Sequence, residues 1–328
     1  MTDWKQLHGN AFAGARAVVT GGAGFIGSHV CEALTTLGAS VVALDDLSGG
    51  TRDNLAGING VELLEGSILD QAALDQAMRG CRYVFHLGAM VSVPGSVERP
   101  RQYHDVNTTG TLEVLDAARR AGVQRVMFAA SSSAYGDSPE LPKVETMAPM
   151  SCSPYAATKV AGEHLLRAYA ASYPLDTVSL RYFNIFGPRQ NANSAYAGVI
   201  AAFAKRMIGG EPPVITGDGT ASRDFTFVHN AVHANLLAAR HPRPLKGEVF
   251  NVATAHSCTI TQLAESMAKL LSRRDLKPIY APPRAGDVQH SLADLTRSRE
   301  TLGYSPIVQF EPGLAATLEW YRSFLGGS

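Results

Sequence analysis

Short apolar runs alternate with longer segments of helical period through the first half of the chain. Residues 17–20, 41–44, 61–64, 83–87, 125–130 and 178–182 are runs of strand length. Between them, residues 25–37, 70–78, 108–121 and 155–172 carry apolar positions at helical spacing. Asp70 is a predicted N-cap of its helix, and Gly122 ends the next one. Strand and helix in repeated alternation predict a parallel sheet with helices on both faces. The strands are nearly continuous in apolar residues, as burial on both faces requires. Right-handed crossovers then make a doubly wound sheet the simplest topology.

After about Asn184 the pattern changes. Turn signals crowd together at Gly187-Pro188, Gly209-Gly210, Pro212-Pro213, Gly217-Asp218-Gly219, Pro282-Pro283 and Gly286-Asp287. Helical periods persist at 197–207, 231–239, 260–271 and 314–324. The expected fold class is α/β. A sheet domain occupies 1–183, and 184–328 forms mainly a smaller mixed domain, the two interleaving. The smaller part is expected on the carboxyl edge of the sheet, where open α/β sheets bind ligands.

Composition narrows the function. At roughly 150 residues per domain, 328 residues fit about two domains. Lysine plus arginine number 29, as do aspartate plus glutamate. That balance leaves no basic excess for a nucleic-acid backbone or an anionic membrane. Basic function must be local, a few arginines in a pocket. No apolar run approaches the roughly 18 residues that span a bilayer. Residues 1–16 lack the apolar core of a signal peptide, so a cytoplasmic protein is expected. Cys31, Cys81, Cys152 and Cys258 lie far apart and read as free thiols rather than a metal or redox motif.

Two constellations carry chemistry. Val18-Val19-Thr20 runs into Gly21, Gly24 and Gly27, with Phe25 and Ile26 opening the following helix. Such a turn lets backbone approach a pyrophosphate, and the helix N-terminus supplies free N–H groups. Asp45 closes the next strand, 18 residues beyond Gly27, where a carboxylate can bind both adenosine ribose hydroxyls. It would repel a 2′-phosphate, which selects NAD over NADP; Arg52 nearby could soften that choice. The second constellation is Tyr155 and Lys159, at i and i+4 on one helix face. A phenol has a reference pKa near 10 and needs an adjacent cation to act as a base in hydride transfer from an alcohol carbon. Upstream, Ser131, Ser132 and Ser133 end a strand and can donate to a substrate oxygen.

With these motifs the chain resembles the extended short-chain dehydrogenase/reductases, and within them the nucleotide-sugar 4-epimerases. The resemblance runs from about Arg16 to the C-terminal helix. It also rests on Ser131-Ser132-Ser133-Ala134-Tyr135-Gly136, on 181–190 (Arg-Tyr-Phe-Asn-Ile-Phe-Gly-Pro-Arg-Gln), on 219–225 and on Arg284-Ala285-Gly286-Asp287-Val288. It implies Ser131 as the catalytic hydroxyl with Ser132 in reserve, Tyr155 as base and Lys159 as its partner. It implies Asn184, Arg223, Arg284 and Asp287 as holders of the nucleotide diphosphate and ribose, and Ser132 and Ser133 beside the sugar. Paired arginine forks suit a pyrophosphate; the alternative for Arg223 and Arg284 is ion pairing with Asp224 and Asp287. The helix-opening Asn107 has a structural or a functional role.

Dehydratases of the family carry an Asp-Glu pair after the catalytic hydroxyl, and decarboxylases a Glu there. Ser132 and Ser133 cannot do that acid–base work. The expected reaction is therefore inversion of carbon 4 of a UDP-sugar through a 4-keto sugar, with NAD regenerated. Ser291 stands where glucose-restricted members carry Tyr, so room is expected for an N-acetyl group. The stretches 138–144 and 191–200 also resemble epimerases of N-acetylated sugars. UDP-GlcNAc and UDP-GalNAc are the expected substrates, with UDP-Glc and UDP-Gal beside them. UDP-glucuronate epimerisation or decarboxylation is the alternative, and a non-catalytic dinucleotide sensor is remoter. Two departures bear on NAD: Ser67 next to Ile68 replaces an adenine-binding Asp, and Val91 replaces a Lys. The pair His229 and His233 lacks a third ligand, so no metal is expected. Relatives imply a homodimer through 103–121 and 155–172.

Overall fold

The computed structural model describes residues 2–192, 198–282 and 289–326. A short helix, α1 (Trp4–His8), precedes β1 (Arg16–Thr20), α2 (Phe25–Thr36), β2 (Ser40–Asp45), β3 (Val61–Glu65), α3 (Gln71–Ala77) and β4 (Tyr83–His86). Two short helices follow, α4 (Val93–Glu98) and α5 (Pro100–His104). The latter continues through a π segment, Asp105–Thr109, into α6 (Gly110–Arg120). Next come β5 (Arg125–Ser131), α7 (Pro154–Ser172), β6 (Asp176–Tyr182), β7 (Ile185–Phe186), α8 (Val199–Ile208) and β8 (Val214–Thr216). The chain closes with β9 (Ser222–Asp224), β10 (Thr226–Phe227), α9 (Val228–Arg240), β11 (Glu248–Val252), β12 (Ser257–Thr259), α10 (Ile260–Leu270), β13 (Ile279–Ala281) and α11 (Phe310–Gly326).

Seven strands form one parallel sheet in the order β11-β6-β5-β4-β1-β2-β3. This is the doubly wound α/β sheet the alternating pattern predicts. Its central strands are buried on both faces: Ala17, Val18 and Val19 in β1 are fully enclosed, as are Val126 and Met127 in β5. Asp70 caps α3 by accepting the Ala72 and Ala73 N–H groups, as predicted. The seventh strand was not legible in the pattern. β11 arrives after α9 and pairs with β6, Phe250 opposite Leu180. The chain thus leaves the sheet at β6, builds part of the smaller layer and returns. That layer consists of the pairs β7–β10, β9–β12 and β8–β13. They pack with α8, α10 and α11 around a separate core containing Phe186, Phe203, Ile215, Leu263 and Leu314.

His229 Nδ1 lies 2.7 Å from Thr2 Oγ1, and His233 Nδ1 lies 3.0 Å from His8 Nε2. Burial holds both His229 and His233 down to about 4, so they pin α1 to α9 as neutral rings. Among the described residues no cluster of three or more metal-ligating side chains occurs. None of the described helices is long and apolar enough to cross a membrane.

Arg125 ties the starts of β5 and β6 to the C-terminus of α9. It is buried at the start of β5 and pairs with Asp176 at the start of β6. Its Nη atoms donate to the carbonyls of Ala238, Ala239, His241 and Arg243 at 2.7–3.1 Å. These include orphan carbonyls at the C-terminus of α9, where a cation is also favoured by the helix dipole. Arg125→Met should lower stability by roughly 3 kcal/mol, because Asp176 loses its cation and the carbonyls at the end of α9 lose their buried donor. The expected readout is a lower thermal-unfolding midpoint; an unchanged midpoint would contradict this role.

Candidate active site

The carboxyl ends of β1, β2, β4, β5 and β6 open onto a cleft of about 2190 Å³. That exceeds the ~300–1,000 Å³ of a site for one small ligand. The β1–α2 turn forms one wall. Gly21 adopts φ +67°, and a Cβ there would sit 2.8 Å from the Gly88 nitrogen. A Cβ on Gly27 would strike the Gly21 carbonyl oxygen. The turn is therefore as tight as backbone permits, and no side chain stands between it and the cleft. Gly24 caps α2 without a side-chain hydrogen bond, so the first-turn N–H groups of α2 stay open. Gly21, Gly24, Phe25, Ile26 and Gly27 all line the cleft, a cradle that fits a pyrophosphate.

Asp45 ends β2 and also lines the cleft. Its carboxylate accepts the Ala23 N–H at 2.9 Å and the Leu47 N–H at 2.8 Å, which fixes its orientation. Burial pushes this carboxyl above the usual range, against those two bonds. Arg52 pairs with Glu65 on β3. Ile68 lines the cleft and Ser67 does not; Ser67 Oγ instead accepts the Leu69 N–H at 3.2 Å.

Across the cleft stand the serine, tyrosine and lysine. Ser153 caps α7 by accepting the Ala156 N–H at 3.1 Å, with Pro154 at the first helical position. That start sets Tyr155 in the first turn and Lys159 one turn on. Ser131 is the last residue of β5, and its hydroxyl is in hydrogen-bond reach of the Tyr155 phenol. Ser133 donates to Ser131 Oγ through both its N–H, at 3.2 Å, and its hydroxyl, at 2.9 Å. Ser131, Ser132, Ser133, Tyr155 and Lys159 all line the cleft.

In the structure Lys159 Nζ lies 6.0 Å from the Tyr155 ring centroid and donates to the Ala129 carbonyl at 2.9 Å. Burial outweighs the Ser131 hydrogen bond and keeps the phenol above its ordinary value. Burial also lowers Lys159 to about 8.

Behind this group runs a chain of neutral hydrogen bonds. Thr111 donates its hydroxyl to the Asn107 carbonyl, so it accepts from His86 Nε2, 3.0 Å away. His86 Nδ1 then accepts from Thr20, 2.8 Å away, and Thr20 Oγ1 accepts the Gly88 N–H. Burial keeps His86 neutral, lowering it to about 3. Asn107 sits in the π segment, not at a helix start. Its amide bonds the Met90 N–H and carbonyl, and donates to Thr158 Oγ1 at 3.1 Å. The chain thus ties the loop after β4 both to the glycine turn and to α7.

The smaller layer supplies the far wall. Asn184 (φ +38°) lines the cleft and donates to the Asp224 carbonyl at 3.2 Å. Arg223 and Ser291 line it too. Arg223 Nη1 donates to the carbonyls of Ser222 and Gln289. Ser291 N donates to the Ser222 carbonyl at 3.0 Å, which fixes its segment beside β9. Asp224 is not a surface partner of Arg223. It is fully buried and accepts from Thr254 N and Oγ1 at 2.9 and 2.7 Å and from Ala293 N. Arg284 and Asp287 lie outside the described residues. Sequence reasoning missed the structural parts of His86, a single polar residue within an apolar run, and of Asp224, which stands in a polar stretch beside Arg223.

A parallel sheet whose glycine-lined turn faces a serine, a tyrosine and a lysine across one cleft defines a dinucleotide-linked, Rossmann-type enzyme. The sequence model of the NAD dependent epimerase/dehydratase family matches residues 17–253, and the chain belongs to that family. It is an enzyme that works with NAD. A UDP-glucose 4-epimerase of Mycolicibacterium smegmatis is 38% identical over 94% of this chain and 99% of its own length. A UDP-N-acetylglucosamine 4-epimerase from Methanobrevibacter ruminantium, solved in complex with UDP-N-acetylmuramic acid, superposes with TM-score 0.90. It is 39% identical and covers 95% of this chain and 99% of its own. A Thermus thermophilus UDP-glucose 4-epimerase complexed with NAD gives TM-score 0.85 at 36% identity, covering 94% and 99%.

Replacing Asp45 by Ala should weaken NAD binding about tenfold, the loss of a charge-assisted hydrogen bond. It should also narrow the preference over NADP. Calorimetric titration with both dinucleotides checks this, and an unchanged affinity ratio would contradict the role.

Proposed function

We propose that the chain inverts carbon 4 of UDP-sugars, acting on UDP-GlcNAc and UDP-GalNAc and also on UDP-Glc and UDP-Gal. The observation that carries this is the serine run at the end of β5. Ser131 reaches Tyr155, while Ser132 and Ser133 fill the places where a dehydratase or decarboxylase needs a carboxyl group. With no second acid–base group there, oxidation at carbon 4 can only be reversed.

Tyr155 takes the proton of the 4-hydroxyl, and Ser131 donates to the same oxygen. Lys159 stabilises the phenolate by its charge, a benefit that grows in a buried site. When bound, NAD supplies a reversible hydride acceptor, so the cycle carries no net redox change. Gly21, Gly24, Phe25, Ile26, Gly27, Asp45 and Ile68 hold the dinucleotide, with Ser67 supporting its loop. Arg223 and Asn184, with Arg284 and Asp287, hold the UDP end. Tyr155 then returns its proton to the opposite epimer. The sugar must turn over between the two halves, and the width of the cleft supports that turn.

Specificity is read from Ser291, a small side chain on the cleft wall. The resemblance to an N-acetylglucosamine-type enzyme at 39% identity supports the same reading. We further propose a homodimer through α6 and α7, where Leu112 is an exposed apolar residue. The four cysteines are free, which suits a reducing cytoplasm.

Incubation with UDP-glucose and with UDP-GlcNAc, read by proton NMR, should give the 4-epimer of each. A 6-deoxy-4-keto product or released carbon dioxide would overturn the proposal. Tyr155→Phe should cost about 10²–10⁴-fold in kcat, the usual worth of a positioned acid–base group. Ser291→Tyr should spare UDP-glucose and suppress the acetylated substrate; equal loss of both would remove Ser291 from specificity.

A further inference from the structure

Below the Tyr155–Lys159 pair lies a buried ion pair that takes no part in the proton transfer. α7 carries Tyr155, Lys159 and Glu163 at successive i, i+4 positions, so three ionisable groups share one helix face. Lys159 and Glu163 are both buried. Arg181 on β6 grips both oxygens of Glu163, Nε to Oε1 and Nη2 to Oε2, each at 2.8 Å. Its guanidinium also lies over the Tyr135 ring, 4.6 Å from the centroid. The remaining Nη1 has no hydrogen-bond partner.

Stability alone explains this arrangement badly. A buried ion pair is often matched or bettered by apolar residues of the same volume. An unpartnered buried N–H makes the balance worse. What the pair has is position. In a buried site the field of a carboxylate one helical turn away reaches an ammonium with little screening. Burial works against the charge on Lys159, and Glu163 is the group that opposes it. The other elements packed around α7 and the cleft present His86 from β4, Tyr103 from α5, Tyr135 from the turn after β5, Arg181 and Tyr182 from β6, Glu98 from α4 and Asp105 from the π segment. The two acidic residues among them, Glu98 and Asp105, are exposed to solvent, which screens them; Glu163 is buried. Arg181 binds Glu163 from the side of β6 and partly cancels its charge.

We propose that Glu163 is a positioning residue for catalysis: it keeps Lys159 in its charged form beside Tyr155, and Arg181 sets how much of the carboxylate's charge the lysine feels. The proposal rests on the reading of Tyr155 and Lys159 as base and partner. Its sign is fixed. Lys159 serves as an ammonium and loses that form as pH rises. Without Glu163 the ammonium is less favoured, so the alkaline limb of activity moves to lower pH. In Glu163→Gln the shift is enlarged, because Arg181 is left as an uncompensated positive charge.

The test is the pH profile of kcat from pH 6 to 10, with UDP-glucose and UDP-GlcNAc as substrates. Glu163→Gln should bring the alkaline limb down by about one pH unit, a tenfold change in the lysine's proton affinity. A uniform loss of kcat with the limb unmoved would overturn the proposal. Glu163→Gln leaves a buried charge, so a Glu163→Met/Arg181→Met double variant provides a folded comparison. Its limb should lie between those of wild type and Glu163→Gln; if Glu163→Gln does not fold, a double-variant limb at the wild-type position overturns the proposal. Lys159→Met separates the two levels. Full activity in Lys159→Met overturns the reading of the pair itself. An inactive Lys159→Met with an unmoved limb in Glu163→Gln overturns only the role of Glu163.

Discussion

The site depends on one constraint: α7 must bury a charged stripe against the middle of a parallel sheet. Lys159 and Glu163 both lie inside, on a helix whose other inward positions are Ala156, Thr158, Gly162 and Leu166. Each buried charge has to find a partner, or it would be lost to protonation change. Lys159 finds the Ala129 carbonyl and the face of Phe128, 4.9 Å from the ring centroid. Glu163 finds Arg181. These contacts fix the rotation of α7 about its own axis, and that rotation aims Tyr155 at Ser131.

The rest of the cleft is built around that alignment. β5 pairs with β6 so that Ser131 stands opposite Tyr182, which brings the Phe183-Asn184 turn beside the serine. Asn107 bridges Met90 and Thr158, so the loop after β4 is anchored to α7. Asp224, far from any proton transfer, holds Thr254 and Ala293 and thereby sets the wall that carries Arg223 and Ser291. The small layer is thus joined to the sheet by hydrogen bonds of buried groups, which are costly to leave unpaired.

Much of this was legible in the chain. The glycines at 21, 24 and 27, Asp45 at a strand end, and the Tyr155–Lys159 spacing all depend on local geometry, which sequence period reports directly. The Asp70 cap is equally local. What escaped depends on contacts between distant segments. β11 is a short run like several others, and only its pairing with β6 makes it the seventh strand. His229 and His233 share a helix face, but their partners Thr2 and His8 lie more than 220 residues away, near the start of the chain, where no local pattern reports them. Asn107 looked like a helix start because a π segment leaves no mark in hydrophobic period. Ion pairing of Arg223 with Asp224 stays open as an alternative in the sequence, because the alternation along β9, which buries Asp224 and leaves Arg223 on the cleft, is too short to see.

The central claim is that oxidation at carbon 4 is reversed within one cleft without exchange. It is tested by following UDP-GlcNAc deuterated at carbon 4 to equilibrium in ordinary water. The account predicts that the label stays at carbon 4 in both epimers. Washout of the label, or a product that is not the 4-epimer, would contradict it.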